Sequence, residues 1–220
     1  MAVPGEHHPA FEEYCEAIYE LHEDDVEVIQ ARIAERLRVS RPSVSEMIRR
    51  LADEGLVHVE AGRISLTESG EGLAQRVVRR HRLAERFLTD ILGLSWASAH
   101  HEAGKWEHVM SEEVEEAMVA RLGNPTTCPH GNPIPGSDYL APDHVRLVDV
   151  EPGARFVVTR IPEELEFVPG MLEFLERSRL VPGSSGLVRR LDEDGTMLVT
   201  VENDDVNLDP RASARILVMR

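Results

Sequence analysis

The residues between His100 and His108 have the types and the spacing that could bind a divalent metal ion. If this stretch is helical, positions i, i+4, i+7 and i+8 share one face, and here they are His100, Gly104, Glu107 and His108. Imidazole nitrogen and carboxylate oxygen together suit Mn²⁺, Fe²⁺, Co²⁺, Ni²⁺ or Zn²⁺. A solvated helix face is the alternative interpretation, but three such groups on one stripe favour a metal site.

Three further pairs with ligand spacing occur elsewhere in the chain: Glu13 with Glu16, His81 with Glu85, and Cys128 with His130. Apolar spacing places the first pair on an amphipathic helix over 11–22 and the second on a long helix from Glu71 to about Ile91. The third lies in a loop from Gly123 to Pro142, which is rich in proline and glycine. Taken alone, the first pair indicates two solvated glutamates, and a loop cysteine beside a histidine is more often a bystander.

The composition is that of an ordinary globular protein. The chain has 220 residues, of which 42% are hydrophobic, so it can hold one large domain or two to three small ones. It has no apolar run long enough to span a membrane, and Met1–Phe11 lacks the order of a signal peptide. We therefore expect a cytoplasmic protein without a membrane partner, in which Cys15 and Cys128 do not form a disulfide.

Charge is distributed unevenly along the chain. The net charge of −16 argues against a general nucleic-acid binder. Residues 26–82, however, hold eleven arginines against eight acidic residues, and the chain has a single lysine, Lys105. One segment is thus locally basic and relies on arginine, which binds phosphate or guanine bidentately.

That basic segment has the element order of a winged helix-turn-helix. A short helix over 31–37 is followed by a second helix that begins at Pro42 and ends at Gly55, and then by a hairpin of strands over 56–60 and 64–67. In this motif the second helix enters the major groove, so the residues expected to contact DNA are Ser40, Arg41, Pro42, Ser43, Ser45, Glu46, Arg49, Arg50 and, at the wing, Arg63. A winged helix used only for protein contact is the alternative.

The C-terminal third changes character. Residues 150–220 contain short alternating runs, among them 155–159, 186–189, 196–201 and 214–218, with one helix near Gly170–Arg177. These runs predict a small β-barrel. We therefore expect a mainly α fold with a small β part: a winged helix-turn-helix domain over 1–75, a helical dimerisation and metal-binding domain over 76–142, and a small β-barrel over 143–220.

The chain resembles the DtxR/MntR family of iron- or manganese-activated repressors of metal-uptake genes. The resemblance runs from about Phe11 to Gly136, and the last part is similar to the SH3-like, FeoA-type barrel of the longer members. The order and spacing of five segments carry it: Ala31–Leu37, Pro42–Ser45, His81–Glu85, Trp106–His108 and Gly131–Gly136.

The resemblance implies two metal sites per chain. The primary site would use Glu13, Glu16, His81, Glu107 and His108. Gly104 stands where the iron branch has Cys and the manganese branch has Glu, so only its backbone carbonyl or the neighbouring Glu102 could replace that ligand. The second site would use Glu85, His100, Cys128 and His130, completed by a carboxylate of the barrel, which could be Glu163, Glu164 or Glu166.

The resemblance implies a homodimer that binds a palindromic DNA operator when loaded with metal, and not an enzyme. A primary site with only oxygen and nitrogen ligands suits Mn²⁺, with Fe²⁺ as the alternative. Two other functions stay open at this point. A His/Glu cluster with an open position could serve a metallohydrolase, and Cys15 or Cys128 could serve a thiol-based redox regulator.

Overall fold

The elements follow the predicted order of a DNA-binding unit, a helical unit and a sheet unit. The computed structural model describes residues 9–220, and residues 1–8, with which the predicted first domain begins, lie outside the described residues. The DNA-binding unit consists of α1 (Pro9–Glu23), α2 (Gln30–Leu37), α3 (Arg41–Asp53), β1 (Val57–Glu60) and β2 (Arg63–Leu66). The helical unit consists of α4 (Glu68–Asp90), α5 (Trp96–Trp106) and α6 (Glu112–Leu122). The sheet unit consists of β3 (Val145–Arg146), β4 (Arg155–Arg160), α7 (Glu163–Glu166), α8 (Met171–Arg177), β5 (Ser185–Leu191), β6 (Met197–Val201), β7 (Asp204–Leu208), α9 (Pro210–Arg215) and β8 (Leu217–Met219).

Local signals in the sequence set the helix-turn-helix. Helix α2 ends because Arg38 adopts a left-handed conformation, with φ of 54°. Ser40 then caps α3 by accepting a hydrogen bond from the backbone nitrogen of Ser43 at 3.2 Å, and Pro42 occupies the first turn. The apolar face of α3 packs into the first core while its opposite face stays exposed. The winged helix-turn-helix order is confirmed.

Helix α4 joins the first two units. Thr67 caps it by accepting from the backbone nitrogen of Gly70 at 3.1 Å, and the helix then continues unbroken past residues 75 and 76. Leu73 packs in the core of the DNA-binding unit, and Leu88 packs in the core of the helical unit. The domain limits themselves stay predictions, and α4 gives both units a common rigid element.

Helix α5 is shorter than predicted. The sequence predicts helix through His108, but α5 ends at Trp106, and the next residues form a turn. The backbone nitrogen of Glu107 still bonds to Ala103 at 3.1 Å, whereas those of Val109 and Met110 both bond to Trp106. The helix therefore ends two residues earlier than predicted, but His100, Gly104, Glu107 and His108 still line one cavity, as their spacing predicts.

The sheet unit is antiparallel throughout, with strand order β3-β8-β4-β5-β6-β7. Its core contains Phe156, Val158 and Val199 and also takes in Trp96 from α5, so the sheet unit packs on the helical unit. A small β-barrel was expected here, and a C-terminal domain of antiparallel strands is confirmed, while closure into a barrel stays a prediction. Within residues 9–220 no helix has both the length and the apolar character needed to cross a bilayer.

One predicted strand is wrong in its extent. The run over 214–218 was expected to be a strand, but α9 extends to Arg215, and β8 begins only at Leu217. Asp209 caps α9 by accepting from the backbone nitrogen of Ala212 at 2.7 Å, and Pro210 sits in the first turn. These capping signals outweigh the apolar alternation that suggested a strand.

Candidate metal centres

The first cluster joins three helices. Ligand atoms of Glu16 on α1, His81 on α4 and Glu107 at the end of α5 lie within 4.8 Å of one another, and all three residues are buried. Nδ1 of His81 lies 2.5 Å from Oε2 of Glu107. The cluster forms because α1 buries its apolar stripe against α4, which turns Glu16 toward the interior. His108 adjoins it, with Nε2 3.2 Å from Oε1 of Glu107.

An open cavity borders this cluster at Gly104. The cavity has a volume of about 350 Å³, and Glu13, Glu16, Gly104 and His108 are among its lining residues. A Cβ atom added at Gly104 would meet no atom within 4 Å. Glu102, by contrast, pairs with Lys105 at 2.6 Å, and its side chain is 38% exposed. The structure therefore brings Glu13 to the rim of the site and leaves Glu102 outside it.

Charge in the first cluster is shared between acids and imidazoles. Burial, reinforced by the nearby Glu107, raises the pKa of Glu16 well above its usual value. Burial opposes the charge on Glu107, but His81 prevails and lowers the pKa of Glu107 to about 2. Hydrogen bonds that His108 donates to Glu107 and to Glu12 raise the pKa of His108 to about 10. A bound cation would have to replace protons that this cluster retains at neutral pH.

The second cluster is buried between α4, α5, the proline- and glycine-rich loop and α7. Ligand atoms of Glu85, Cys128 and His130 lie within 4.8 Å of one another, and all three residues are fully buried. Nδ1 of His100 lies 2.9 Å from Oε1 of Glu85. Oε2 of Glu166 lies 2.9 Å from Nδ1 of His130 and 3.3 Å from Nδ1 of His100.

Among the three carboxylates considered for completing this site, Glu166 faces the imidazoles most directly. Glu163 is held by the Arg82 guanidinium at 3.1 Å, although one of its oxygens also lies in a cluster with His100 and Glu166. Glu164 points elsewhere and pairs with Arg215 at 2.8 Å.

The two clusters meet at His81. Its Nε2 atom lies 3.2 Å from Oε1 of Glu85 and 3.3 Å from Nδ1 of His100, while its Nδ1 faces Glu107. One imidazole on α4 therefore contacts groups assigned to both sites.

The second cluster has the chemistry of a cation site. Oε2 of Glu85 and Oε2 of Glu166 are buried and have no hydrogen bond of normal geometry to any part of the described chain. Burial alone would raise the pKa of Glu85, but the charges of His130 and His81 hold it well below its usual value. Buried carboxylate oxygens whose contacts to the imidazoles lack hydrogen-bond geometry are costly unless a cation meets them. The thiol, imidazole and carboxylate donors present fit a divalent transition metal.

Sequence reasoning missed two neighbours of the clusters. Asn132 is fully buried and donates from Nδ2 to Oε1 of Glu166 at 2.7 Å. Oε2 of Glu12 lies 2.7 Å from Nδ1 of His108, across 96 positions of sequence. Asn132 lies in the recognised segment Gly131–Gly136 and could have been suspected. Glu12 carried no separate signal beside Glu13.

The predicted DNA-contacting residues lie on one outer face of the DNA-binding unit. All but the half-buried Ser45 are exposed, including Arg41, Arg49 and Arg50. Across residues 9–220 these three arginines form no ion pair with a carboxylate. Arg63 at the wing pairs with Glu27 at 3.0 Å. Arg49 donates from Nε to the Ser45 carbonyl at 3.3 Å, and the Arg50 guanidinium lies 5.1 Å from the centroid of the Phe11 ring. All three arginines are exposed and without a carboxylate partner, so phosphate could contact them.

The two thiols lack the features of reactive cysteines. Cys15 is fully buried in the first core, and burial raises its pKa to about 12. Burial also raises the pKa of Cys128. A redox-sensing cysteine needs thiolate character and exposure, so the structure does not favour the thiol-regulator alternative.

Two family models match most of the chain. The iron dependent repressor N-terminal DNA binding domain matches residues 8–63, and the iron dependent repressor metal binding and dimerisation domain matches residues 67–136. The iron-dependent repressor IdeR of Mycobacterium tuberculosis is 40% identical over 210 residues, which covers 90% of this chain and 91% of that protein. The diphtheria toxin repressor of Corynebacterium diphtheriae is 45% identical over 160 residues, covering 71% of this chain and 70% of that protein.

Solved structures agree over the whole length. A manganese-dependent transcriptional repressor in complex with manganese has a TM-score of 0.85 and 33% identity, covering 95% of this chain and 99% of that chain. The crystal structure of T. acidophilum IdeR has a TM-score of 0.78 and 30% identity, covering 100% and 99%. The similarity therefore includes the sheet unit, which neither family model reaches.

Proposed function

We propose that this chain, which belongs to the iron-dependent repressor family of DNA-binding transcriptional regulators, is activated for DNA binding by Mn²⁺, with Fe²⁺ as the alternative activator. The family consists of iron- or manganese-dependent repressors and not of enzymes, so the metallohydrolase alternative falls away. The relatives' names include both iron and manganese, so the preference between Mn²⁺ and Fe²⁺ depends on this chain's own ligand residues.

The observation that carries the choice of metal is the donor set of the first cluster. Glu13, Glu16, His81, Glu107 and His108 offer only oxygen and nitrogen, and Gly104 offers no side chain. Hard oxygen donors suit Mn²⁺, whereas thiolate and thioether donors would favour softer metals. Because affinity alone rises toward Ni²⁺, Cu²⁺ and Zn²⁺, we infer that preference for Mn²⁺ depends on the open geometry at Gly104.

The positions of the ligands support a role in DNA binding. Glu13 and Glu16 lie on α1, which belongs to the DNA-binding unit, whereas His81, Glu107 and His108 lie in the helical unit. A divalent cation supplies the positive charge that lets these carboxylates and imidazoles converge. The residues themselves then fix α1 against α4, and with it the orientation of α3.

The second cluster would tie the sheet unit into the same arrangement. Glu85, His100, Cys128 and His130 belong to the helical unit and its loop, and Glu166 is the carboxylate that the sheet unit contributes. We propose these five residues as the second site and Glu166, rather than Glu163 or Glu164, as its barrel-domain ligand. The buried oxygens of Glu85 and Glu166 support this assignment.

We propose that the active form is a homodimer on a palindromic operator. The helical unit exposes large apolar side chains, among them Leu92 at 54%, Val109 at 80% and Val114 at 45%, and such exposure supports a partner surface. A symmetric dimer places two copies of α3 in successive major grooves roughly 34 Å apart. We expect the phosphate contacts to come from Arg41, Arg49, Arg50 and Arg63, and we expect the protein to act in the cytoplasm, where its DNA is.

Fluorescence anisotropy tests the proposal. A labelled duplex is selected from a randomised palindromic pool with a mixture of divalent metals present, and its affinity is then measured with chelator, with Mn²⁺ and, anaerobically, with Fe²⁺ and Zn²⁺. We expect weak binding with chelator and strong binding with Mn²⁺. Equal binding with chelator and with Mn²⁺ would overturn metal activation, and stronger activation by Fe²⁺ than by Mn²⁺ would overturn the choice of metal.

A further inference from the structure

The two nitrogens of His108 face different carboxylates. Nε2 lies 3.2 Å from Oε1 of Glu107, a member of the first cluster. Nδ1, on the other side of the ring, lies 2.7 Å from Oε2 of Glu12. The contact is shielded, because the side chains of His108 and Glu12 are only 20% and 16% exposed.

We propose that Glu12 is a positioning residue that holds His108 for the first metal centre, an inference that rests on the proposed function. A neutral imidazole carries one N–H and one free lone pair. When Nδ1–H donates to Glu12, the lone pair belongs to Nε2, the nitrogen on the cluster side. Carboxylates that accept from the second nitrogen of a metal-binding histidine fix its tautomer and ring orientation and increase its basicity.

The geometry separates Glu12 from the ligands. Within residues 9–220 the three-ligand cluster comprises Glu16, His81 and Glu107, and neither Glu12 nor His108 belongs to one. His108 borders that cluster through Nε2, whereas Glu12 contacts the opposite side of the ring, at Nδ1. Glu12 lies in the first turn of α1, where the helix dipole favours a negative charge. It is therefore a stable hydrogen-bond acceptor in the shell outside the ligands.

This assignment gives α1 a second link to the metal centre. Glu16 would reach the metal directly, whereas Glu12, four residues earlier on α1, reaches it through His108. His108 lies in the turn that follows α5, and the hydrogen bond to Glu12 fixes its ring relative to α1.

Substitutions at Glu12 separate positioning from direct ligation. Mn²⁺ binding is followed by electron paramagnetic resonance for the wild-type full-length chain and for Glu12→Ala, Glu12→Gln and the control Glu68→Ala. Glu68 also lies in the first turn of a helix but is exposed. We expect Glu12→Ala to weaken the first site by roughly 10- to 100-fold and to leave the second site unchanged. Glu12→Gln should recover much of the loss, because its amide oxygen can still accept from Nδ1–H.

The coordination shell provides the second readout. Electron spin echo measurements on ¹⁵N-histidine protein should show the same histidine coupling to Mn²⁺ in wild type and Glu12→Gln. Wild-type affinity in Glu12→Ala would overturn the inference and leave the proposed function standing. An equal loss of Mn²⁺ affinity in Glu12→Ala and Glu12→Gln, with one oxygen ligand fewer on the metal, would overturn the inference in favour of direct ligation by Glu12. Equal weakening of Mn²⁺ binding at both sites would overturn it in favour of a general structural role. Absence of Mn²⁺ binding in the wild type would overturn both the inference and the proposed function.

Discussion

Replacing Arg82 by methionine should strongly destabilise the protein. The Arg82 side chain is completely buried and holds both oxygens of Glu23, at 3.1 and 2.7 Å, and one oxygen of Glu163, at 3.1 and 3.2 Å. It also donates to the carbonyl of Pro133 at 2.5 Å. Methionine keeps much of the volume but removes the charge, which leaves without this cation both the Glu23 carboxylate and the fully buried Glu163, whose pKa burial raises to about 8.

The size of the effect follows from burial. Removing one partner of a buried ion pair costs about 3–5 kcal/mol, whereas an exposed pair is worth about 0–1 kcal/mol. At about 2–4 °C per kcal/mol for a chain of this size, Arg82→Met should lower the unfolding midpoint by roughly 6–20 °C. Arg32 and Glu35 are a matched exposed pair, with side chains 53% and 65% exposed, so Arg32→Met should change the midpoint by only a few degrees.

Calorimetry and urea unfolding of both variants, without added metal, measure the difference. A loss below about 1 kcal/mol for Arg82→Met would refute the reasoning, because it would mean that Glu23 and Glu163 are solvated or protonated without cost. An equal loss in Arg32→Met would refute it too, since burial would then not be the cause.

Three further predictions concern the metal sites. Gly104→Glu adds a carboxylate at a position where a side chain meets open space, so we expect Mn²⁺ to bind more tightly at the first site. Calorimetric titration measures this, and unchanged binding would show that the new side chain does not reach the metal. Glu166→Gln should abolish tight Mn²⁺ binding at the second site. Glu164→Gln should leave that binding intact, because Glu164 pairs with Arg215 instead. Similar Mn²⁺ binding isotherms for the two variants would contradict the assignment of Glu166. Neighbouring carboxylates raise the pKa of both His100 and His108 to about 10, so these imidazoles must lose protons when they bind metal. Metal affinity should therefore rise with pH up to about 10, by up to about tenfold per pH unit for each proton released. Calorimetric titrations in buffers of different ionisation enthalpy count the released protons, and a pH-independent affinity would contradict the prediction.

Local sequence signals predicted the DNA-binding unit well. The serine cap before Pro42, the glycine after α3 and the apolar stripes of α1 to α4 each act within a few residues of the element that they define. Such signals do not depend on the rest of the fold. The sheet unit was harder, because strands such as β7 are short and contain few apolar residues: Val206 and Leu208 are the two buried residues of β7, and its other three residues are polar and exposed.

The candidate sites could be predicted by residue type but not by orientation. Nothing in the spacing distinguishes Glu12 from Glu13, because their directions depend on how α1 lies against the turn that carries His108. Likewise α7 has only four residues, so the face on which Glu166 projects follows from the packing of the sheet unit. Only tertiary contacts decide which of several adjacent carboxylates enters a site.

The contacts of Phe167 show why the sheet unit matters beyond the one carboxylate it contributes. The ring packs edge-on against His100, with centroids 5.4 Å apart, and the guanidinium of Arg36 on α2 lies 3.8 Å from its centroid. Arg36 is in turn bonded to Glu20 on α1 at 2.7 Å. Because Phe167 directly follows Glu166, the residue that faces the second cluster and the residue that supports the helix-turn-helix share one short backbone segment. If Glu166 is a ligand of the second site, as proposed, its backbone neighbour Phe167 gives that site a direct packing contact with α2 of the DNA-binding unit.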